Sequence, residues 1–389
     1  LSRSIESIRA EVDALRRSGL ERTLRCAEPA GPARMRIGGR VAVVLSSNDY
    51  LGLAGDERLA AAARAALSTS GAGGGAARLL TGTRREHLDL EEEVVRLTGA
   101  PAAVTFASGY AANLAVLGAL LAPGDLVVSD ELNHASLVDG MRLCGVERRV
   151  VPHANVAAVR DALRDAPRHR RAAIVTEGVF SMDGDVAALA DLLDIARKHD
   201  ALLVVDDAHG FGVLGVTGGG AFEAAGLADA PDVVRVGTFG KAFGAAGAFL
   251  AADADVVALV MNRGRAFFFS TAAAPAVAAA AREGVRIARE EPARRERCLA
   301  VAARLAAGLR ERGVDVALPQ AAIVPVVIGD AARAVVCGQR LFTEHGFLAP
   351  AIRPPTVPEG TSRLRLSASA ALSDDDVDRA VAAVAEVLA

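Results

Sequence analysis

Of the 44 basic residues in this 389-residue chain, 42 are arginine and only two, Lys198 and Lys241, are lysine. Arginine can neither be deprotonated nor form a Schiff base, so chemistry that needs a nucleophilic amine has two candidates. Lys198 lies in Asp194-Ile-Ala-Arg-Lys-His-Asp200, near the expected end of a helix, where a solvent-facing cation complements the helix dipole. Lys241 lies in Gly237-Thr-Phe-Gly-Lys-Ala-Phe-Gly-Ala-Ala-Gly247, between apolar strands. An unpaired ammonium there is costly unless covalent work requires it. The contrast singles out Lys241 for imine formation with a carbonyl cofactor, for which pyridoxal 5'-phosphate (PLP) is the expected candidate.

That cofactor makes further demands. Its pyridinium nitrogen needs a carboxylate, and Asp206 ends the apolar run Ala201-Leu-Leu-Val-Val-Asp206 at the edge of a strand, where ligands sit in α/β sheets. Asp207 is expected to point away, and His209 to reach the ring oxygen. The phosphate needs N–H groups at a helix start and hydroxyl donors, which Ser108-Gly109-Tyr110 and Thr238 offer. A flat partner for the ring is available in His134, within Asp130-Glu-Leu-Asn-His-Ala-Ser136 after another strand.

The elements that must position these residues follow from the hydrophobic pattern. Ile5, Ile8, Val12 and Leu15 mark an amphipathic helix, followed by a short strand at 41–45. Strand-length apolar runs at 103–106, 126–129, 149–152, 172–176, 201–206, 233–238 and 246–251 alternate with helical segments, which predicts an α/β architecture with a large, mostly parallel sheet. A long helix over 276–313, short strands at 323–328 and 362–367, and a closing helix from Asp374 predict a smaller C-terminal α+β domain. The expected division is an N-terminal arm over 1–45, a large PLP-binding domain over 46–280 and a small domain over 281–389.

Several classes are set aside. The net charge of −3 gives no field that would draw in nucleic acid or an anionic membrane surface. No apolar run approaches the roughly 18 residues of a membrane span. The first turn is charged rather than apolar, which argues against a secretory signal and for the cytoplasm. Cys26, Cys144, Cys298 and Cys337 lie too far apart for a zinc motif or a disulfide framework, so no metal is expected. Gly71 to Ala76 formally fits a dinucleotide fingerprint but follows a helical run rather than a strand. Lys241 is followed by Ala242, which excludes a P-loop, and no G-x-S-x-G elbow is present.

Four segments carry a family resemblance: Ser46-Ser-Asn-Asp-Tyr-Leu-Gly-Leu53, Thr176-Glu-Gly-Val-Phe-Ser-Met-Asp-Gly184, Val205-Asp-Asp-Ala-His-Gly210 and Thr238-Phe-Gly-Lys241. From about residue 20 onward the chain resembles the α-oxoamine synthases, PLP-dependent enzymes of fold type I. The segment Ala351-Ile-Arg-Pro-Pro-Thr-Val-Pro-Glu-Gly-Thr-Ser-Arg-Leu-Arg365 is most similar to the biotin-pathway branch. That resemblance implies decarboxylative condensation of L-alanine with a pimeloyl thioester, of CoA or acyl-carrier protein, in a homodimer with a shared active site.

It further implies that Lys241 carries PLP and that Asp206 pairs with the pyridinium nitrogen. His209 and Ser181 contact the ring oxygen, and His134 stacks on the ring and meets substrate. Ser108, Gly109, Tyr110 and Thr238 hold the phosphate, and Thr271 reaches that of the neighbouring subunit. Arg22, Asn48, Arg353 and Thr356 match substrate-contacting positions, with Arg353 able to clamp the carboxylate of an amino acid bidentately. The alternatives are a glycine-using or different-acyl synthase of the glycine C-acetyltransferase kind, and a non-catalytic partner subunit. Two departures from the family pattern, Phe211 and Ala76-Ala77, are expected where substrate or the partner is felt.

Overall fold

The computed structural model describes residues 2–17, 21–22 and 24–389. Its centre is a seven-stranded sheet built from β1 (Ala102–Phe106), β2 (Leu126–Asp130), β3 (Glu147–Val151), β4 (Ala172–Glu177), β5 (Ala201–Asp206), β6 (Val233–Thr238) and β7 (Ala248–Ala252). The spatial order is β1-β7-β6-β5-β4-β2-β3. The β2, β3, β4, β5 and β6 ladders are parallel, whereas β7 runs antiparallel to both β6 and β1. Every residue of β4 is buried, its apolar run Ala172-Ala-Ile-Val175 followed by Thr176 and Glu177, as in a sheet covered on both faces. The crossovers place the carboxyl ends of β2, β4, β5 and β6 along one edge, where the chemistry-bearing residues follow.

The N-terminal helix spans Arg3–Arg17 and leaves its apolar residues Ile5, Ile8 and Leu15 exposed. Behind it a second sheet joins Glu28–Pro29, Arg34–Ile37 and Arg40–Val44 to Phe347–Leu348, the last pair parallel. Near the C-terminus, Ile323–Gly329, Ala351–Ile352 and Ser362–Ser367 form a third, antiparallel sheet. The edge strand Ala351–Ile352 is only two residues long, too short to show a periodicity in the sequence.

The single long helix expected over 276–313 is two helices, Pro275–Glu290 and Pro292–Glu311. Pro292 has no N–H to donate and its ring disfavours the helical conformation of the residue before it. Glu291 accordingly leaves the helix at φ −112° and ψ 72°. Gly71 to Ala76 follows the helix Glu57–Ser70 rather than a strand, and Gly71 ends that helix at φ 75°. Phe211 is buried and packs edge-on against Phe249 with centroids 5.0 Å apart, so this departure is a core contact and not the substrate-facing position expected of it.

The helix Pro275–Glu290 packs on the loop that carries Lys241, and Gly284 is the point of closest approach. A Cβ there would lie 2.1 Å from the carbonyl oxygen of Phe243. Backbone cannot yield as a side-chain tip can, so Gly284→Ala is expected to destabilise the fold by about 1–3 kcal/mol. Urea unfolding of the variant tests this, and an unchanged midpoint contradicts it.

Candidate active site

Lys241 stands in a tight loop between β6 and the antiparallel β7. Phe239 N–H donates to Gly247 O at 2.9 Å, Ala245 N–H to Phe239 O at 2.9 Å, and Gly244 N–H to Lys241 O at 3.0 Å. Thr238 Oγ donates to Gly247 O at 2.9 Å and accepts from Gly240 N–H at 3.1 Å. Gly247 sits at φ 100°, where a side chain is strained, and a Cβ would lie 2.9 Å from Phe106 O. The loop thus aims the lysine back over the sheet edge.

The amine meets His209, with Nζ 2.8 Å from Nε2. His209 Nδ1 lies 2.6 Å from Tyr50 Oη, which donates to Asn48 Oδ1 at 3.1 Å. Burial, then the charges of Lys241 and Arg365, hold the His209 imidazole well below its ordinary pKa and therefore neutral. One proton arrangement satisfies every contact: Lys241 donates to Nε2, Nδ1–H donates to Tyr50, and Tyr50 donates to Asn48. Arg365 closes the chain, donating to Tyr50 Oη and to Asn48 Oδ1 at 3.2 Å each, to Ser181 O at 2.5 Å and to Ser367 Oγ at 2.8 Å. Burial also lowers the pKa of Lys241, opposed by the nearby carboxylates of Asp206 and Glu177, which moves the amine toward its nucleophilic form.

A second network runs beneath it. Asn113 Nδ2 donates to Asp206 Oδ2 at 2.6 Å and to Ser136 Oγ at 2.8 Å, and Ser136 Oγ lies 2.7 Å from His134 Nδ1. His134 caps the helix Ala135–Cys144, accepting Ser136 N–H at 3.2 Å, and burial pulls its pKa down against the field of Asp206. Ser108 caps the helix Gly109–Leu120 by accepting Ala111 N–H at 3.2 Å, leaving a helix N-terminus beside β1 suited to an anion. The groups brought together are an amine, a buried carboxylate, two imidazoles with lowered pKa and an anion-binding helix start. That donor set fits PLP: a carbonyl, a ring nitrogen, a flat ring and a phosphate.

Residues 40–384 match the family described as aminotransferase class I and II. The chain belongs to that family. Within it, the chain is 46% identical over 388 residues to an 8-amino-7-oxononanoate synthase of Anaeromyxobacter dehalogenans, covering 99% of this chain and 96% of that one. A second such synthase, from Burkholderia cenocepacia, is 47% identical over 383 residues, covering 97% and 96%. Among solved structures, a serine palmitoyltransferase from S. paucimobilis with a bound PLP-myriocin aldimine superposes with a TM-score of 0.92 at 30% identity, covering 99% and 97%. An 8-amino-7-oxononanoate synthase from Francisella tularensis gives 0.77 at 25%, covering 89% and 97%. The fold is therefore the PLP-dependent type I fold of this family, as the α-oxoamine synthase resemblance implied.

Not every expected site residue joins the Lys241 cluster. Arg22 is exposed in the segment after the N-terminal helix. Arg353 lines an open hollow of about 600 Å³ with Pro354, Pro355, Glu359 and Ser362, and its carbonyl accepts Thr356 N–H at 3.0 Å. The phenol of Tyr110 turns outward to Asp139, so only its backbone faces the helix start. Thr271 is exposed and bridges to Ala77, which places the Ala76-Ala77 departure beside it.

Conversely Tyr50, Asn113, Glu177 and Arg365 belong to the cluster without having been singled out. Glu177 carried much the same signal as Asp206, an acid ending a mostly apolar strand. Arg365 carried none, because only the fold shows that all of Ser362–Ser367 is buried.

Glu177 accepts Ser181 N–H at 3.1 Å, and burial followed by the charge of Asp206 pushes its pKa up to about 8. A carboxyl near 8 when folded and about 4.5 when unfolded binds its proton more tightly in the folded chain, so it lowers stability as pH rises between those values. Glu177→Gln keeps an acceptor and removes this contribution. Urea melts at pH 5 and pH 8 are expected to show a smaller loss of stability across that interval than the unsubstituted chain, and an equal loss contradicts the assignment.

Proposed function

We propose that this chain is an 8-amino-7-oxononanoate synthase that binds PLP and condenses L-alanine with a pimeloyl thioester in biotin biosynthesis. The observation that carries the reading is the half-buried amine of Lys241, 2.8 Å from His209 with the charge of Asp206 nearby, at the edge of the central sheet. The substrate assignment leans on the 46–47% identity to named synthases rather than on overall shape, since the palmitoyltransferase, only 30% identical, superposes better than the Francisella tularensis synthase does.

When bound, PLP would supply a carbonyl for the amine and a sink for charge developing at the amino acid's α-carbon. Asp206, anchored by Asn113, is placed to hold a proton on the ring nitrogen. His134 would cover one ring face, while His209 and Ser181 meet the ring oxygen. Ser108, the N–H groups of Gly109 and Tyr110, and Thr238 would take the phosphate, with Thr271 contributed by a second copy. Leu79, Leu80, Phe268 and Phe269 are exposed in the neighbourhood of Thr271 and favour a homodimer built on that face.

The α-carboxylate of alanine would meet Arg365, a buried guanidinium whose described partners are all neutral oxygens. Asn48 lies beside it. Arg353, expected from the sequence to clamp the amino acid's carboxylate, lies instead in the hollow at Pro354 and Pro355, and with Thr356 and Arg22 it is assigned to the acyl substrate, whose chain that hollow would admit. Lys241, held below its ordinary basicity and released once the amino acid's own amine takes its place on the cofactor carbonyl, would take the α-proton. The α-carbon then bonds to the acyl carbon, the thiol leaves, the carboxylate departs as carbon dioxide and a proton returns to the α-carbon. The free thiols and the absence, among the described residues, of a helix able to cross a membrane accord with a cytoplasmic enzyme.

Purified chain with PLP is expected to show a visible absorption band that Lys241→Ala abolishes. It should also release thiol faster from a pimeloyl thioester with alanine than from an acetyl thioester with glycine. Faster turnover of the second pair overturns the biotin-pathway assignment. Arg365→Gln should raise the KM for alanine by roughly 10- to 100-fold, the loss of one charged hydrogen-bonded contact. An unchanged KM removes Arg365 from carboxylate binding.

A further inference from the structure

Asp130, His153 and Asp185 form a charged triad outside the Lys241 cluster. Nδ1 of His153 lies 3.0 and 3.1 Å from the two carboxylate oxygens of Asp130, and Nε2 lies 2.9 Å from Oδ2 of Asp185. The ring also stands edge-on to Phe180, centroids 4.4 Å apart at 86°. An imidazole with a carboxylate at each nitrogen has nothing to accept, so both nitrogens donate and the ring is an imidazolium. The hydrogen bonds to Asp130 and then Asp185 raise its pKa to about 10. The other acids close by are engaged elsewhere: Glu131 accepts the His153 N–H at 2.9 Å, and Asp183 pairs with Arg363.

Each carboxylate of the triad stands at the base of a turn that carries an active-site residue. Asp130 ends β2, accepts Leu132 N–H at 2.8 Å and Ala154 N–H at 2.9 Å, and leads directly into His134. Asp185 closes the turn that carries Ser181: Phe180 N–H donates to Asp185 O at 2.9 Å and Gly184 N–H to Phe180 O at 2.8 Å. A half-buried cation held by two carboxylates from different turns resists their separation more firmly than an exposed pair would.

We infer that His153 is a positioning residue whose imidazolium, clamped between Asp130 and Asp185, sets the spacing between His134 and Ser181. The inference rests on the PLP reading, in which those two side chains meet the ring face and the ring oxygen. Loss of the clamp lets the two turns drift apart, loosening the cofactor and altering the environment of its ring oxygen, which a purely scaffolding residue would leave untouched.

The test is a PLP titration of cofactor-stripped protein, followed by the visible band, for the unsubstituted chain, His153→Ala and His153→Gln. His153→Ala is expected to weaken PLP by about 10-fold and to shift the band, with His153→Gln, which keeps one donor, falling between. Adding Asp185→Ala to His153→Ala should cost little more, because the two act as one unit. PLP affinity and a band equal to those of the unsubstituted chain, in folded His153→Ala, overturn the inference. If His153→Ala does not fold, His153→Gln decides by the same criterion. Nitrogen-15 NMR of His153 at pH 8 is expected to show protons on both ring nitrogens, and a neutral ring equally overturns it. Failure of the unsubstituted chain to develop any band would instead defeat the PLP reading, leaving the NMR result to judge the clamp.

Discussion

The amine of Lys241 is half-buried, 2.8 Å from an imidazole that burial keeps neutral. A charged ammonium in such a place is costly, and nearby carboxylates only partly offset that cost. The same balance that strains the group as a cation prepares it as a nucleophile. Much of the surrounding architecture serves to maintain it. The loop from β6 to β7 aims the side chain, β5 brings Asp206 and His209, and β4 brings Glu177. The cost of burying charge shows in the acids as well, because Glu177 and the buried Asp207, next in sequence to Asp206, are both pushed up to about 8.

Holding that pocket together requires segments far apart in the chain. Tyr50 and Asn48 come from the N-terminal region, Ser181 from the middle and Arg365 from the last strand, yet all four share one hydrogen-bonded chain. The backbone secures this. Val43 and Leu45 donate to Gly346 and Leu348, Ser367 donates to Leu45 at 2.7 Å, and Ala370 donates to Tyr50 at 2.8 Å. The segment 46–53 is thereby strapped beneath the strand that carries Arg365. The cluster depends on that closure, since neither part reaches the lysine alone.

Six of the seven central strands were legible because each is a mostly apolar run of strand length bounded by turn residues, the signature of a buried sheet, whereas the edge strand Glu147–Val151 is Glu-Arg-Arg-Val-Val and largely exposed. Lys241, Asp206, His209 and His134 were legible for a related reason, since a polar group just past an apolar strand has few roles other than chemistry or solvation. The helix break at Glu291 was written in Pro292 but masked by the arginine-rich, alanine-rich periodicity on both sides. The two-residue strand at Ala351–Ile352 could not be read, because its partners lie elsewhere in the chain. Phe211 misled because its neighbours in sequence are site residues while its neighbours in space, Phe249 and Gly237, are core.

What the sequence determined by itself was the chemistry: one lysine retained in an apolar context, with acids, imidazoles and hydroxyls spaced at strand ends, a local pattern that survives any uncertainty about packing. What only the tertiary structure decided was which distant groups complete it. Arg365, Asn113, Tyr50 and the His153 clamp act through contacts between residues tens to hundreds of positions apart, and no local periodicity encodes such a distance. Burial is likewise a property of the closed fold. The lowered pKa of Lys241 and the raised value of Glu177 therefore exist only once the sheet, the strap and the last strand have excluded water.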